Sequence, residues 1–251
     1  MKVTLWIPAA EDPHWPCVMS WLKMEDAGAE LSFVRSGANN IKFSWNRVIT
    51  DFLDKTDNDW ILSSHNDVQF DPGTLPRLLS WNKPLISALI FMRQSPVVPH
   101  IWASYSADRK QPYALRVNET YKWFIKHSDY LSSQASFLMD PRPEDALEEI
   151  DFTSTSCCLI HRSVLEAMRT KYGDTWFQWD DDYNGGGEDR NFFEHARAVG
   201  FPAYVDRSCC VGHLVGNIAT GPMDFMAWCN TSRFTGTGEP DSEKDYGQGK
   251  W

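Results

Sequence analysis

The sequence is short of positive charge: 24 Lys and Arg stand against 34 Asp and Glu, a net charge of -10. That deficit excludes a broad nucleic-acid-binding face, because neutralising phosphates needs clustered Lys and Arg. A local basic groove stays open, as does a phosphate ligand approached through a metal ion. No run of residues reaches the ~18 apolar positions that a membrane-spanning helix requires. Neither a Cys-x-x-Cys pair nor a structural-zinc spacing of Cys and His occurs. The six cysteines fall as Cys17, the neighbours Cys157-Cys158 and Cys209-Cys210, and Cys229. That is a poor disulfide framework, and it reads as buried free thiols in a reducing compartment. Internal repeats are absent. Met1-Lys2 leads straight into a strand-like run, so no cleavable leader is expected and the expected location is cytoplasmic.

What is present is an ordinary globular balance, 42% apolar and 23% charged residues over 251 positions, enough for one large domain with a substantial core. Aromatics are in excess, with 12 tryptophans. Such an excess serves sugar or base recognition in some proteins and core anchoring in most.

Strand and helix signals alternate along the chain. Val3-Thr4-Leu5-Trp6-Ile7 is a β run stopped by Pro8, and Leu31 to Val34 is a second, ending at Ser36-Gly37. Ile41, Trp45, Val48, Ile49, Phe52 and Leu53 recur at helical spacing after Asn39-Asn40. Trp60 to Ser64 is a third strand, Thr74 to Trp81 a helix, and Pro84 to Phe91 a buried strand. The β-α-β rhythm predicts a mostly parallel central sheet with helices on its faces, where ligands bind beyond the carboxyl ends of the strands. Residues 94–150, rich in Pro, Ser, Tyr and Trp, read as an irregular excursion that shapes a substrate pocket. A strand over Thr155 to Ile160 follows, then a helix capped by Ser163 with a Ser163–Glu166 capping box, and a short strand Ala203-Tyr204-Val205. The domain is expected to span 1–233, with a mobile tail over 234–251.

Chemistry-bearing residues gather at three places. His65-Asn66-Asp67 ends the third strand, at the sheet edge where ligands sit. Gly185-Gly186-Gly187 delivers Glu188 and Asp189 to the start of an apolar-periodic helix. There the free N–H groups and the helix dipole favour ionised carboxylates, and the glycines permit close approach of a ligand. His213, 24 residues after Asp189, follows Val211-Gly212 in what reads as a small-residue loop. Arg93, just after the buried strand, is either a diphosphate clamp or a surface ion-pair partner. Asp71 reads as a turn or helix cap, and Asp180-Asp181-Asp182 as a solvated acidic turn.

In this order, the residues resemble the GT-A fold glycosyltransferases, which use nucleotide-diphospho-sugars. Trp60 to Leu79 is similar to their strand, acidic DxD turn and following Pro-x-x-Leu segment. Gly187-Glu188-Asp189 through Gly200-Phe201 matches their acidic helix, and Val211-Gly212-His213 the strand end that carries a metal-binding histidine. The likeness covers about residues 1–216 and is strongest to small phage- and bacterium-type enzymes, with some likeness to polypeptide N-acetylgalactosaminyltransferases around Gly187 and His213.

The resemblance implies a single-domain α/β GT-A (Rossmann-like) fold and a divalent cation, Mn²⁺ or Mg²⁺, held by Asp67 and His213 with His65 as a third ligand. His65 stands where the family has its first acid, and imidazole favours Mn²⁺. Pro8, Ala9, Glu11, Asn66 and Arg93 would border a nucleotide-sugar donor, in all expectation UDP-linked. Asp189 and Glu188 would act on the transfer to a hydroxyl acceptor, whether glycan, protein side chain or hydroxymethylated phage DNA base. Two other classes fit the same residues: a non-catalytic nucleotide-sugar or carbohydrate-binding module, and a metal-dependent phosphoesterase using Asp67, Glu188, Asp189 and His213.

Overall fold

In chain order the elements are β1 (Lys2–Pro8), α1 (Trp15–Leu22), β2 (Glu30–Ser36), α2 (Ile41–Lys55), β3 (Trp60–Ser63), β4 (Val68–Gln69), α3 (Thr74–Ser80), β5 (Leu85–Leu89), β6 (Ile101–Ser104), β7 (Tyr113–Leu115), α4 (Val117–Lys126), β8 (Leu147–Ile150), β9 (Phe152–Thr153), β10 (Cys158–His161), α5 (Arg162–Tyr172), α6 (Glu188–Ala198), β11 (Ala203–Cys210), β12 (Gly212–Val215), β13 (Ile218–Thr220) and α7 (Pro222–Cys229). They come from a computed structural model that describes residues 1–8, 12–36, 41–93, 96–104, 113–128, 142–178, 187–216 and 218–231. Ala9, Glu11, Gly185, Gly186, Asp180 to Asp182 and the tail over 234–251 lie outside the described residues.

The central sheet has seven strands in the order β2-β1-β3-β10-β5-β11-β8. β2, β1, β3, β5 and β11 run one way, while β10 and β8 run against them. It is the mostly parallel α/β sheet that the rhythm of the sequence predicts. Alternation along β1 divides the interior: Val3, Leu5 and Ile7 enter one core with α1 and α3 residues such as Trp21, Leu75 and Leu78. Trp6 enters the other core, with Trp45, Ile49 and Phe52 of α2 and Phe192 and Phe193 of α6. In this second core a chain of rings runs from Trp6 to Trp45 (centroids 3.8 Å apart), Phe177 (4.6 Å) and Phe192 (4.7 Å). Each such pair adds about 0.5–1.5 kcal/mol beyond its buried area. Much of the tryptophan excess is therefore core: Trp6, Trp45 and Trp176 are fully buried. All six cysteines are free and buried.

Several local expectations change in the structure. Thr155–Cys157 forms a 3₁₀ turn and the strand starts only at Cys158, because the hydroxyls of Ser63, at the end of β3, and Ser87, in the middle of β5, hold the turn's carbonyls. The N-cap of α5 is His161, not Ser163: its Nδ1 accepts from the Ser163 N–H at 3.2 Å. Between 94 and 150, where the sequence shows little periodicity, the described residues form β6, β7, α4 and β8, and β8 closes the edge of the main sheet. The last strand of the sheet runs to Cys210, well beyond Val205, with a bulge between Asp206 and Cys210. Buried Asp206 fills the bulge, accepting from the Ser208 N–H at 2.8 Å and the Trp81 Nε1–H at 2.6 Å. α6 ends where Gly200 turns to φ +94°, letting the Phe201 N–H reach the Ala196 carbonyl at 3.0 Å.

Candidate active site

Parallel strands end at one edge of the sheet, and the candidate residues collect there. β3 ends at Ser63 and leads through Ser64 into His65-Asn66-Asp67, after which β4 begins. The Asn66 carbonyl accepts the N–H of His14, the N-cap of α1, at 3.1 Å, which pins the turn. The bulge at the end of β11 carries the chain out of the main sheet, so that β12 pairs with β4 and places His213 opposite Val68. His213 therefore lies on a strand and not in the loop expected from Val211-Gly212. The Leu214 N–H donates to the Asp67 carbonyl at 2.8 Å, locking the two segments together.

This pairing brings His213 Nε2 to 3.4 Å from Asp67 Oδ2. The other ring nitrogen, Nδ1, lies 2.8 Å from the Phe91 carbonyl. A carbonyl only accepts, so Nδ1 carries a proton, and Nε2 is the ring nitrogen left to face Asp67. Arg93 Nη1 donates to the same Asp67 oxygen at 2.8 Å. Burial pushes the Asp67 carboxyl up, but the His213 hydrogen bond and the charges of His213, His65 and Arg93 hold it below its ordinary value. An imidazole lone pair and a carboxylate oxygen at this separation fit two neighbouring ligands of one divalent cation. Two protein ligands suit a hard cation that takes its remaining oxygens from phosphate and water.

His65 makes its hydrogen bond elsewhere. Its Nδ1 lies 3.1 Å from Ser156 Oγ, and its Nε2 is buried without a partner. Burial pulls the imidazole down to about 4, so it is neutral at ordinary pH. Among the described residues no group of three or more His, Cys, Asp or Glu side chains is gathered to hold a metal.

Glu188 and Asp189 open α6 behind Gly187, as the sequence suggests. Asp189 Oδ1 accepts the Thr155 hydroxyl at 2.5 Å and the Thr155 N–H at 3.3 Å. Both carboxyls are raised, opposite to the direction expected at a helix N-terminus. Burial, reinforced by the charge of Glu188, pushes Asp189 up to about 7 despite the Thr155 hydrogen bonds, and burial raises Glu188 as well. Desolvation outweighs the helix end here. Asp189 is thus poised near neutrality, where a general base works best.

The sequence reading passed over the turn Ser154-Thr155-Ser156. Ser156 holds His65, Thr155 holds Asp189, and Ser154 and Ser156 share a hydrogen bond of 2.5 Å. The signal was there as four consecutive hydroxyl residues, Thr153 to Ser156, ahead of an apolar run. The Phe91 carbonyl, which orients His213, left no trace in the sequence. Pro8 ends β1 at the same edge, paired in register with Ser36. Asp71 sits apart, half-buried and raised by that burial. It lines a cavity of about 300 Å³ with Gln69, Cys210 and Asp224.

No family model matches the chain, and no curated protein matches it. Solved structures do. A197 from STIV superposes with a TM-score of 0.51 at 16% identity, covering 89% of this chain and 92% of that one. GalNAc-T7, solved with UDP, GalNAc and Mn²⁺, gives a TM-score of 0.52 at 9% identity, covering 86% of this chain and 44% of GalNAc-T7. This chain therefore spans less than half the length of GalNAc-T7. At such identities the likeness is one of fold: the chain is an α/β protein with a GT-A-like fold. Among the described residues, no helix is long and apolar enough to cross a membrane.

Proposed function

We propose that the chain is a glycosyltransferase that moves a sugar from a nucleoside-diphospho-sugar to a hydroxyl acceptor, using a divalent cation held by Asp67 and His213. The observation that carries this reading is the Asp67–His213 pair at 3.4 Å, with His213 held at Nδ1 by the Phe91 carbonyl so that Nε2 faces Asp67. The fold likeness to GalNAc-T7, whose structure holds UDP and Mn²⁺, supports Mn²⁺ and a UDP-linked donor. When bound, the cation offsets charge developing on the departing diphosphate.

The other roles belong to the chain's own residues. Pro8, at the end of β1, and Asn66, in the turn after β3, border the nucleoside; Ala9 and Glu11, assigned the same role, lie outside the described residues. Arg93 clamps the diphosphate, to which a guanidinium donates in bidentate fashion. Asp189 accepts the proton of the acceptor hydroxyl, and Glu188 orients hydroxyl groups beside it. His65, neutral and buried, supports the turn through Ser156 at its Nδ1, and its unpartnered Nε2 makes it the third candidate ligand.

The test is turnover of a nucleotide-sugar panel with Mn²⁺ and with chelator. Cation-dependent release of nucleoside diphosphate supports the proposal. Binding of the nucleotide-sugar without turnover would make the chain a binding module. Release of nucleoside monophosphate or cleavage of nucleic acid would make it a phosphoesterase.

A further inference from the structure

Two cations compete for one oxygen. Asp67 Oδ2 accepts from Arg93 Nη1 at 2.8 Å, and the same atom faces His213 Nε2 at 3.4 Å. A divalent ion shared by Asp67 and His213 needs that oxygen's lone pair, and it would stand against the guanidinium at contact distance. Coulomb repulsion between like charges so close is too large for both to stay.

The surroundings decide which one gives way. Asp67 is fixed, since its carbonyl is bonded to the Leu214 N–H at 2.8 Å and its side chain is 14% exposed. His213 is fixed by the Phe91 carbonyl. The Arg93 backbone is held as well, its carbonyl accepting the Thr220 hydroxyl at 3.4 Å. Its side chain, in contrast, is 53% exposed and has room to swing. The guanidinium is the movable part on an anchored stem.

Resting on the proposed cation site, we infer that Arg93 is a place-holder that neutralises Asp67 while the cation is away and is released by the cation to grip the diphosphate. Cation and diphosphate would then bind with positive coupling, because an ion that offsets the phosphate charge would also free the arginine that clamps it. By linkage each tightens the other. A carboxylate kept paired in the resting state also avoids leaving a partly buried charge uncompensated.

The experiment is calorimetric titration of the wild-type chain, Arg93→Ala, Asp67→Asn and the double variant, each with Mn²⁺ alone and with inorganic pyrophosphate in chelator, with thermal melts to confirm folding. Arg93→Ala is expected to bind Mn²⁺ about tenfold more tightly, the scale of one charge-assisted hydrogen bond partly exposed to solvent. Asp67→Asn is expected to lose Mn²⁺ binding yet to bind pyrophosphate without metal about tenfold more tightly than wild type. That gain is expected to vanish in the double variant. A gain that survives without Arg93 would reflect only the removed negative charge and would overturn the inference. Unchanged or weaker Mn²⁺ binding by Arg93→Ala would overturn it too, while the cation site itself stood. Failure of the wild-type chain to bind Mn²⁺ at all would overturn both.

Discussion

Replacing Thr155 by Val tests whether Asp189 is the proton acceptor of a glycosyl transfer. Thr155 is 1% exposed, and Val keeps its shape, so no cavity opens. What goes is one donor: the hydroxyl at 2.5 Å from Asp189 Oδ1, while the backbone N–H at 3.3 Å stays. Burial, with the charge of Glu188, raises Asp189 to about 7, and the Thr155 hydrogen bonds oppose that rise. The sign follows directly. A base must be unprotonated, so below about pH 7 kcat/KM of the wild-type chain is expected to fall by about tenfold per pH unit. Removing a donor that favours the ionised form raises Asp189 further. If the lost hydrogen bond contributes about 1.4 kcal/mol, the acidic limb moves up by about one pH unit. At pH 6 the variant then runs at about a tenth of the wild-type rate, and well above both limbs the two converge. Nucleoside diphosphate release measured from pH 5.5 to 9, beside a thermal melt, gives both numbers. A folded variant whose acidic limb stays in place would refute the assignment of that limb to Asp189.

Other outcomes follow from the same geometry. Asp189→Asn is expected to keep fold and UDP binding while turnover falls by roughly 10²–10⁴, the usual contribution of positioned acid–base catalysis, with Glu188→Gln losing less; single-turnover rates beside UDP titrations check this, and full activity in folded Asp189→Asn would move the base elsewhere. UDP is expected to bind more tightly with Mn²⁺ than with chelator, and His213→Ala is expected to abolish that difference; equal affinities in the wild-type chain would count against a cation-bridged diphosphate. Trp45→Ala removes the ring that links Trp6 to Phe177 and leaves a void in the core. It is expected to cost about 3–5 kcal/mol and to lower Tm by roughly 6–20 °C, read by calorimetry; a drop of under 2 °C or so would show that the site collapses around the loss.

How much of this was legible beforehand can be judged element by element. The periodicity of Trp45, Val48, Ile49 and Phe52 describes α2 because one face of that helix is buried against the sheet, and burial is a local pattern. Trp60 to Ser63 reads as a strand for the same reason, and a parallel sheet then delivers His65-Asn66-Asp67 to its ligand edge from strand direction alone. Glu188 and Asp189 opening a helix behind glycine are equally visible, since a helix start is written within a few residues.

Tertiary structure alone decided the rest. The insertion of β10 between β3 and β5, against their direction, carries Ser154-Thr155-Ser156 to His65 and Asp189. Those side chains lie 91 and 34 positions from their partners, a separation at which no periodicity operates. The bulge in β11 and the pairing of β12 with β4 bring His213 to Asp67 and to the Phe91 carbonyl, 122 residues away. Charge state was hidden for the same reason. Helix position argued for an ionised Asp189, but burial raised it to about 7, and burial is a sum over everything the fold packs around a group, which no stretch of neighbouring residues contains.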